Sequence, residues 1–321
     1  MSTNIIICIF IALSLVLCPL AALGESQPVF KNKHSDVVAQ EDKSEEYISV
    51  MLSETGEING VDIREYIIGC IAAEMPASYH TEALKAQAVA CYTYALRNKK
   101  MSGDKEADIT DNPDLHQGYI GQKERKEKWG DKYEEYERKI AGAADDVMGY
   151  YMTYEEKIIL AVYHSNSAGR TQSAENIWGS EIPYLSAVES PGDKLAPDFI
   201  EEKIFTEKEF RKCAEKLGVK LTDEPSDWVG KITRDDGGYV KTVVLGDEEI
   251  SASAFRKEYD LRSPCFYIDY DGKFSVLCRG YGHGVGMSQY GADYMARQGF
   301  GWQEILRHYY TGVEFKQQFS G

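Results

Sequence analysis

The first 24 residues of the chain contain no charged side chain, whereas all 36 Lys and Arg and all 52 Asp and Glu lie beyond them. Within that opening segment Ile5–Leu23 is an apolar run of the length that spans a bilayer core as a helix. Two readings stay open. A cleaved signal peptide would use the small residues at Ala21–Gly24, but the usual basic start is missing. A retained membrane anchor over residues 1–24 fits the length better, although the positive-inside cue is absent too. Lipid attachment at Cys18 is disfavoured by the bulky Leu15-Val16-Leu17 before it. Either way, the acidic remainder is expected to be exported.

That remainder carries the whole formal net charge of −16. It offers no Lys/Arg cluster of the kind that grips phosphate backbones, which argues against nucleic acid as a partner. Residues 25–45 are polar and aperiodic and read as a juxtamembrane linker, leaving residues 46–321 as one folded domain. A strand is expected at Glu46–Leu52. Asp62-Ile63-Arg64-Glu65 is a capping-box pattern opening a helix to Glu74, which Pro76 ends. A second helix is expected over Glu82–Asn98, and residues 99–135 read as loop and surface helix. Ile158–Ser165 reads as a buried strand, and Thr206–Glu209 opens another capped helix. Hairpins are expected around Asp236-Gly237-Gly238 and Asp271-Gly272, with helices near Ala252–Tyr259 and Ser288–Arg297. Strands and helices mixed without a βαβ rhythm give an α+β class: one exported domain with β-hairpins and several helices, preceded by the N-terminal transmembrane helix.

Five cysteines follow the apolar segment, an odd number that does not form a disulfide framework. A two-residue turn at Asp271-Gly272 would set Cys265 opposite Cys278, at a separation suited to a disulfide. Two small buried hydrophobes is the competing reading.

Glu74 is the most informative carboxylate. Ile63, Tyr66/Ile67 and Cys70/Ile71 form an apolar stripe, and Glu74 is its next member at helical spacing. Burial and the negative end of the helix dipole both disfavour its ionised form. A raised pKa suits a group that must hold and donate a proton near neutral pH. The loop His164-Ser165-Asn166-Ser167-Ala168-Gly169-Arg170-Thr171 is dense in donors and acceptors. It lacks a nucleophile elbow, and adjacent strand residues face opposite ways, so His164 is poorly placed to activate Ser165. In Gly280–Gly286 no dinucleotide register fits, and close backbone approach presenting His283 explains the glycines better. Tyr92, Trp178 and Tyr184 offer flat faces suited to sugar rings. No H-E-x-x-H or C-x-x-C occurs, so no metal is required. Zinc stays open only on dispersed residues such as His80, Cys91 and His116.

Three segments, YIIGCIAAEMPASYHTEALKAQAVACYTYAL (Tyr66–Leu96), HSNSAGRTQSAENIWG (His164–Gly179) and GYGHGVGMSQYGA (Gly280–Ala292), together resemble the stage II sporulation protein D family. The similarity runs from about Glu46 to Tyr310, with the motifs in the family's order. The resemblance implies a peptidoglycan lytic transglycosylase of endospore-forming bacteria. Such an enzyme cleaves glycan strands between N-acetylmuramic acid and N-acetylglucosamine, leaving 1,6-anhydro ends, and the family's catalytic Glu falls on Glu74. It also implies a single-pass protein of the mother-cell engulfing membrane, acting beside stage II sporulation proteins P and M on glycan stripped of stem peptides. Tyr92, His164, Ser165, Ser167, Thr171, Trp178, His283 and Gln289 are the expected substrate contacts. Many relatives read A-A-R-T-Y where this chain has Ala90-Cys91-Tyr92-Thr93-Tyr94, so no arginine contact is carried to position 92. Related domains also act as amidase enhancers, so a glycan-binding activator is the alternative, and a structural tether a third reading.

Overall fold

The computed structural model describes residues 47–318 apart from 104, 113 and 114. The expected anchor at 1–24 and linker at 25–45 lie outside the described residues. Among the described residues no helix is long and apolar enough to cross a membrane. The described part is mixed α and β, as expected.

Strands β1 (Tyr47–Met51) and β2 (Ile58–Asp62) pair antiparallel, and β1 also takes β3 (Ile109–Thr110) in parallel. Helix α1 spans Ile63–Glu74. Asp62 caps it by accepting from the amides of Arg64 and Glu65, a contact worth about 1 kcal/mol. The capping box is only half formed. Glu65 does not reach back but binds buried Arg125, which a bidentate pair with Glu137 also holds. Before Pro76, Met75 turns extended (φ −127°, ψ 139°), which makes Glu74 the last helical residue. Helix α2 (Thr81–Ser102) packs on α1 and on α4 (Tyr133–Asp145), with α3 (Gln122–Trp129) between them in sequence.

The run expected as one strand at 158–165 is broken. Only β5 (Lys157–Ile158) and β6 (Tyr163–His164) are extended pairs. Between them the Leu160 amide donates to the Tyr184 hydroxyl and the Val162 amide to the Leu160 carbonyl, so neither is free for a ladder. β5 pairs with β4 (Tyr150–Tyr154), whose other edge takes β14 (Glu314–Gln317). β6 pairs in parallel with β13 (Met287–Ser288). A short helix α5 (Ala174–Trp178) follows β6, and α8 (Gln289–Arg297) and α9 (Trp302–Tyr309) follow β13.

Between these segments, residues 200–279 build a second core. It consists of β7 (Ile200–Phe205), α6 (Glu207–Lys216), the meander β8 (Val229–Arg234), β9 (Val240–Leu245) and β10 (Glu248–Ser251), then α7 (Ala252–Glu258) and the hairpin β11 (Phe266–Tyr270), β12 (Phe274–Arg279). Its centre is aromatic: the Phe210 and Phe274 rings stack at 3.9 Å, and Trp228 stacks on both. Thr206 and Glu209 form the expected reciprocal capping box. The Tyr239 hydroxyl ties this core to the first by donating to the Arg170 carbonyl and accepting from the Ala168 amide.

The hairpin register corrects one expectation. The loop holds three residues, because Tyr270 lies opposite Phe274 and Gly272 adopts φ +69°. Phe266, not Cys265, therefore faces Cys278, and both cysteines are free and buried. Of the two readings, the pair of small buried hydrophobes holds.

Candidate active site

Three elements meet at Glu74. Helix α1 delivers it at its final position, where Lys128 of α3 donates to the carbonyls of Ala72 (2.7 Å) and Ala73 (3.5 Å) and so satisfies the helix end. The segment before α3 supplies the Gly118 amide, which donates to Glu74 Oε1 at 2.5 Å. Strand β6 supplies the Tyr163 hydroxyl, which donates to Gln117 Oε1 at 3.2 Å and adds to the groups that favour the Glu74 carboxylate. A Cβ at Gly118 would stand 3.0 Å from Glu74 Oε1 and 3.4 Å from the Ala73 methyl, so glycine lets the loop come this close. Burial pushes the Glu74 carboxyl above its ordinary value; the Gly118 amide, Lys128 and Tyr163 pull it part of the way back. None of these neighbours is a second carboxylate. Alone, this group can carry a proton to a leaving oxygen and take one up afterwards.

Strand alternation sends Tyr163 towards Glu74 and its neighbour His164 the other way. His164 Nδ1 lies 3.1 Å from the Val285 carbonyl, an acceptor, so Nδ1 carries the proton and the buried Nε2 has no partner. His283 Nδ1 accepts from the Val285 amide at 3.0 Å. Ring centroids of His164 and His283 are 5.7 Å apart, and Trp178, 39% exposed, lies 6.0 Å from His283. Burial pushes His164 down to about 3 and His283 to about 4, so both are neutral at any working pH. The glycine turn makes this cluster. Gly280, Gly282, Gly284 and Gly286 all have positive φ, and a Cβ on Gly286 would fall 2.0 Å from the Val162 carbonyl oxygen.

The other expected contacts have internal partners. Tyr92 is buried in α2 and donates to Gln318 at 2.7 Å. The Thr171 hydroxyl accepts from the Val188 amide at 2.8 Å. Gln289 donates to Gln87 at 3.5 Å, and the Ser165 carbonyl accepts from the Tyr290 amide. Ser167 donates through amide and hydroxyl to Asp193, which sequence reasoning missed. The dispersed metal candidates do not converge. His80 caps α2, His116 Nδ1 accepts from the Thr110 amide, and Cys91 is buried in α2. Among the described residues no group of three or more His, Cys, Asp or Glu could hold an ion.

The family model described as stage II sporulation protein (SpoIID) matches residues 52–154. Stage II sporulation protein D of Bacillus amyloliquefaciens is 37% identical over 278 residues, spanning 85% of this chain and 79% of that protein. The protein of the same name from Bacillus subtilis strain 168 is 38% identical over 275 residues, spanning 84% and 79%. The chain belongs to the stage II sporulation protein D family. That places it among sporulation proteins. The segment matched by the family model holds Glu74 and Gly118 but stops short of Tyr163, whereas the pairwise similarities extend over 278 and 275 residues. A protein named amidase enhancer from Bacillus subtilis is more distant, at 25% identity over 304 residues and 39% of its length.

Proposed function

We propose that this sporulation protein is a lytic transglycosylase that cleaves peptidoglycan glycan strands at the bond from N-acetylmuramic acid to N-acetylglucosamine. The observation that supports it most is a single carboxyl, raised by burial and held by the Gly118 amide, with no second carboxylate acting on it among the described residues. An ordinary glycosidase needs two such groups, one for the acid and one to attack carbon or direct water. A transglycosylase needs one. Glu74 protonates the glycosidic oxygen as the C1–O4 bond breaks. The muramic acid C6 hydroxyl then attacks C1 and gives its proton to the Glu74 carboxylate. The acid is regenerated and no water is consumed.

The cellular setting follows family reasoning: a single-pass membrane protein of the engulfing mother-cell membrane, working beside stage II sporulation proteins P and M on denuded glycan. The distant likeness to an amidase enhancer favours a second reading, a glycan-binding activator of an amidase. Incubating purified protein with denuded sacculi separates the two. Anhydro-muramoyl ends released by wild type and absent with Glu74→Gln support the enzyme. No release, with glycan binding and amidase stimulation intact, supports the activator.

A further inference from the structure

Residues 117–120 lie along helix α1 as a strap. The Ile120 amide donates to the Gly69 carbonyl at 3.4 Å, and Tyr119 stacks on Tyr66 with ring centroids 5.4 Å apart. A Cβ on Gly69 would fall 2.6 Å from the Ile120 carbonyl oxygen, so a helical glycine admits the strap. Further back, at residues 117–119, no main-chain group has a main-chain partner among the described residues, and the Gly118 amide is committed to Glu74 Oε1. The Gln117 side chain, 4% exposed, fixes this stretch instead. Its Nε2 donates to the Tyr66 hydroxyl oxygen of α1 at 3.0 Å and to the Cys91 carbonyl of α2 at 3.2 Å. A carbonyl only accepts, so the amide nitrogen is assigned to that side and Oε1 to the other. Oε1 accepts from the Tyr163 hydroxyl of β6 at 3.2 Å. One buried carboxamide thus ties the residue before Gly118 to three elements.

We infer that Gln117 is a positioning residue: its carboxamide, rather than any main-chain ladder, holds the Gly118 N–H on Glu74 Oε1. It acts through the next residue, one peptide bond away. An N–H on Oε1 faces the carbonyl oxygen of the neutral acid and leaves the proton to Oε2, which sets one direction for its transfer to the leaving oxygen. After transfer the same N–H stabilises the carboxylate that forms. A strap released from α1, α2 and β6 would lose both the aim and that stabilisation.

The inference rests on Glu74 being the acid of the proposed reaction, but its first readout needs no turnover. In nitrogen-15-labelled protein the Gly118 amide resonance should move as the Glu74 carboxyl titrates, and Glu74→Gln should abolish that movement. Gln117→Met keeps the volume and removes all three hydrogen bonds. In that variant the Gly118 resonance should shift and stop following Glu74, with kcat on denuded glycan down about tenfold and KM unchanged. Tyr66→Phe, eight residues before Glu74, removes one acceptor of Gln117 and should weaken the coupling in the same direction. If Gln117→Met does not fold, Tyr66→Phe decides. A folded Gln117→Met that loses only stability, with the Gly118 resonance still following Glu74, would overturn the inference. So would an unmoved Gly118 resonance in Tyr66→Phe where that variant decides. Absence of turnover in wild type, with the coupling present there and lost in Gln117→Met, would instead remove the transglycosylase reading and leave the positioning role standing.

Discussion

Glu74 and Asp193 are both carboxyls that burial pushes upward, yet their surroundings separate them. Asp193 is 0% exposed, and its two oxygens take the Ser167 amide (2.8 Å), the Ser167 hydroxyl and the Ser288 hydroxyl (2.7 Å). It fastens the loop after β6 to the residue that caps α8, and both of its oxygens are engaged. Glu74 is only partly buried, takes the Gly118 amide, and keeps room for another partner. Desolvation alone does not mark a reactive carboxyl. The number of donors already committed to it does.

Removing each side chain should give opposite outcomes. Glu74→Gln should cost about 100- to 10,000-fold in glycan cleavage while leaving the protein folded, as circular dichroism and sacculus digestion would show. Asp193→Ala should instead cost about 3 kcal/mol of stability, because it leaves buried donors without acceptors, readable by urea unfolding. A folded Asp193→Ala with unchanged stability would erase the distinction.

A finer test moves the donor without touching the carboxyl. Gly118→Ala should push the loop a few tenths of an ångström from Glu74 and lower activity about tenfold, with a small change in melting temperature. Activity equal to wild type would mean that the Gly118 amide does not set the acid's position.

The pH dependence follows from linkage. A carboxyl raised in the folded state keeps its proton while the unfolded chain loses one, so stability falls as pH rises from the ordinary Glu pKa to the raised one. Wild type and Glu74→Gln should therefore be equally stable in acid. The variant should gain relative to wild type through that window and hold a constant lead above it. Denaturant melts across pH check this, and a lead that grows towards acid would reverse the sign. The smallest effect concerns salt. A chain of net charge −16 gains little attraction to an acidic wall, so moderate salt should raise activity on intact wall modestly, and a steep fall would contradict that.

Glu74 was legible because a carboxylate on an apolar helical stripe, two residues before a proline, breaks a local rule. Its partners were not. Gly118 lies in a stretch read as polar loop, and a contact spanning 44 residues leaves no periodic trace. The same holds for Asp193, 26 residues from Ser167 and 95 from Ser288. The polarity of Ser167 and Thr171 reads as groove chemistry in a sequence, whereas their hydrogen bonds go to Asp193 and Val188. Hairpins and capped helices around the second core were legible from turn and cap chemistry. The register of β11 and β12 was not, because a left-handed Gly272 fits both a two- and a three-residue loop.

The central claim is that one carboxyl drives cleavage in which the sugar's own hydroxyl replaces water. Digestion of denuded glycan in heavy-oxygen water, followed by mass spectrometry of the released ends, tests it most directly. The account predicts anhydro-muramoyl ends lighter by one water, free of heavy oxygen, and lost in Glu74→Gln. Reducing ends that carry solvent oxygen, or undiminished release by folded Glu74→Gln, would contradict it.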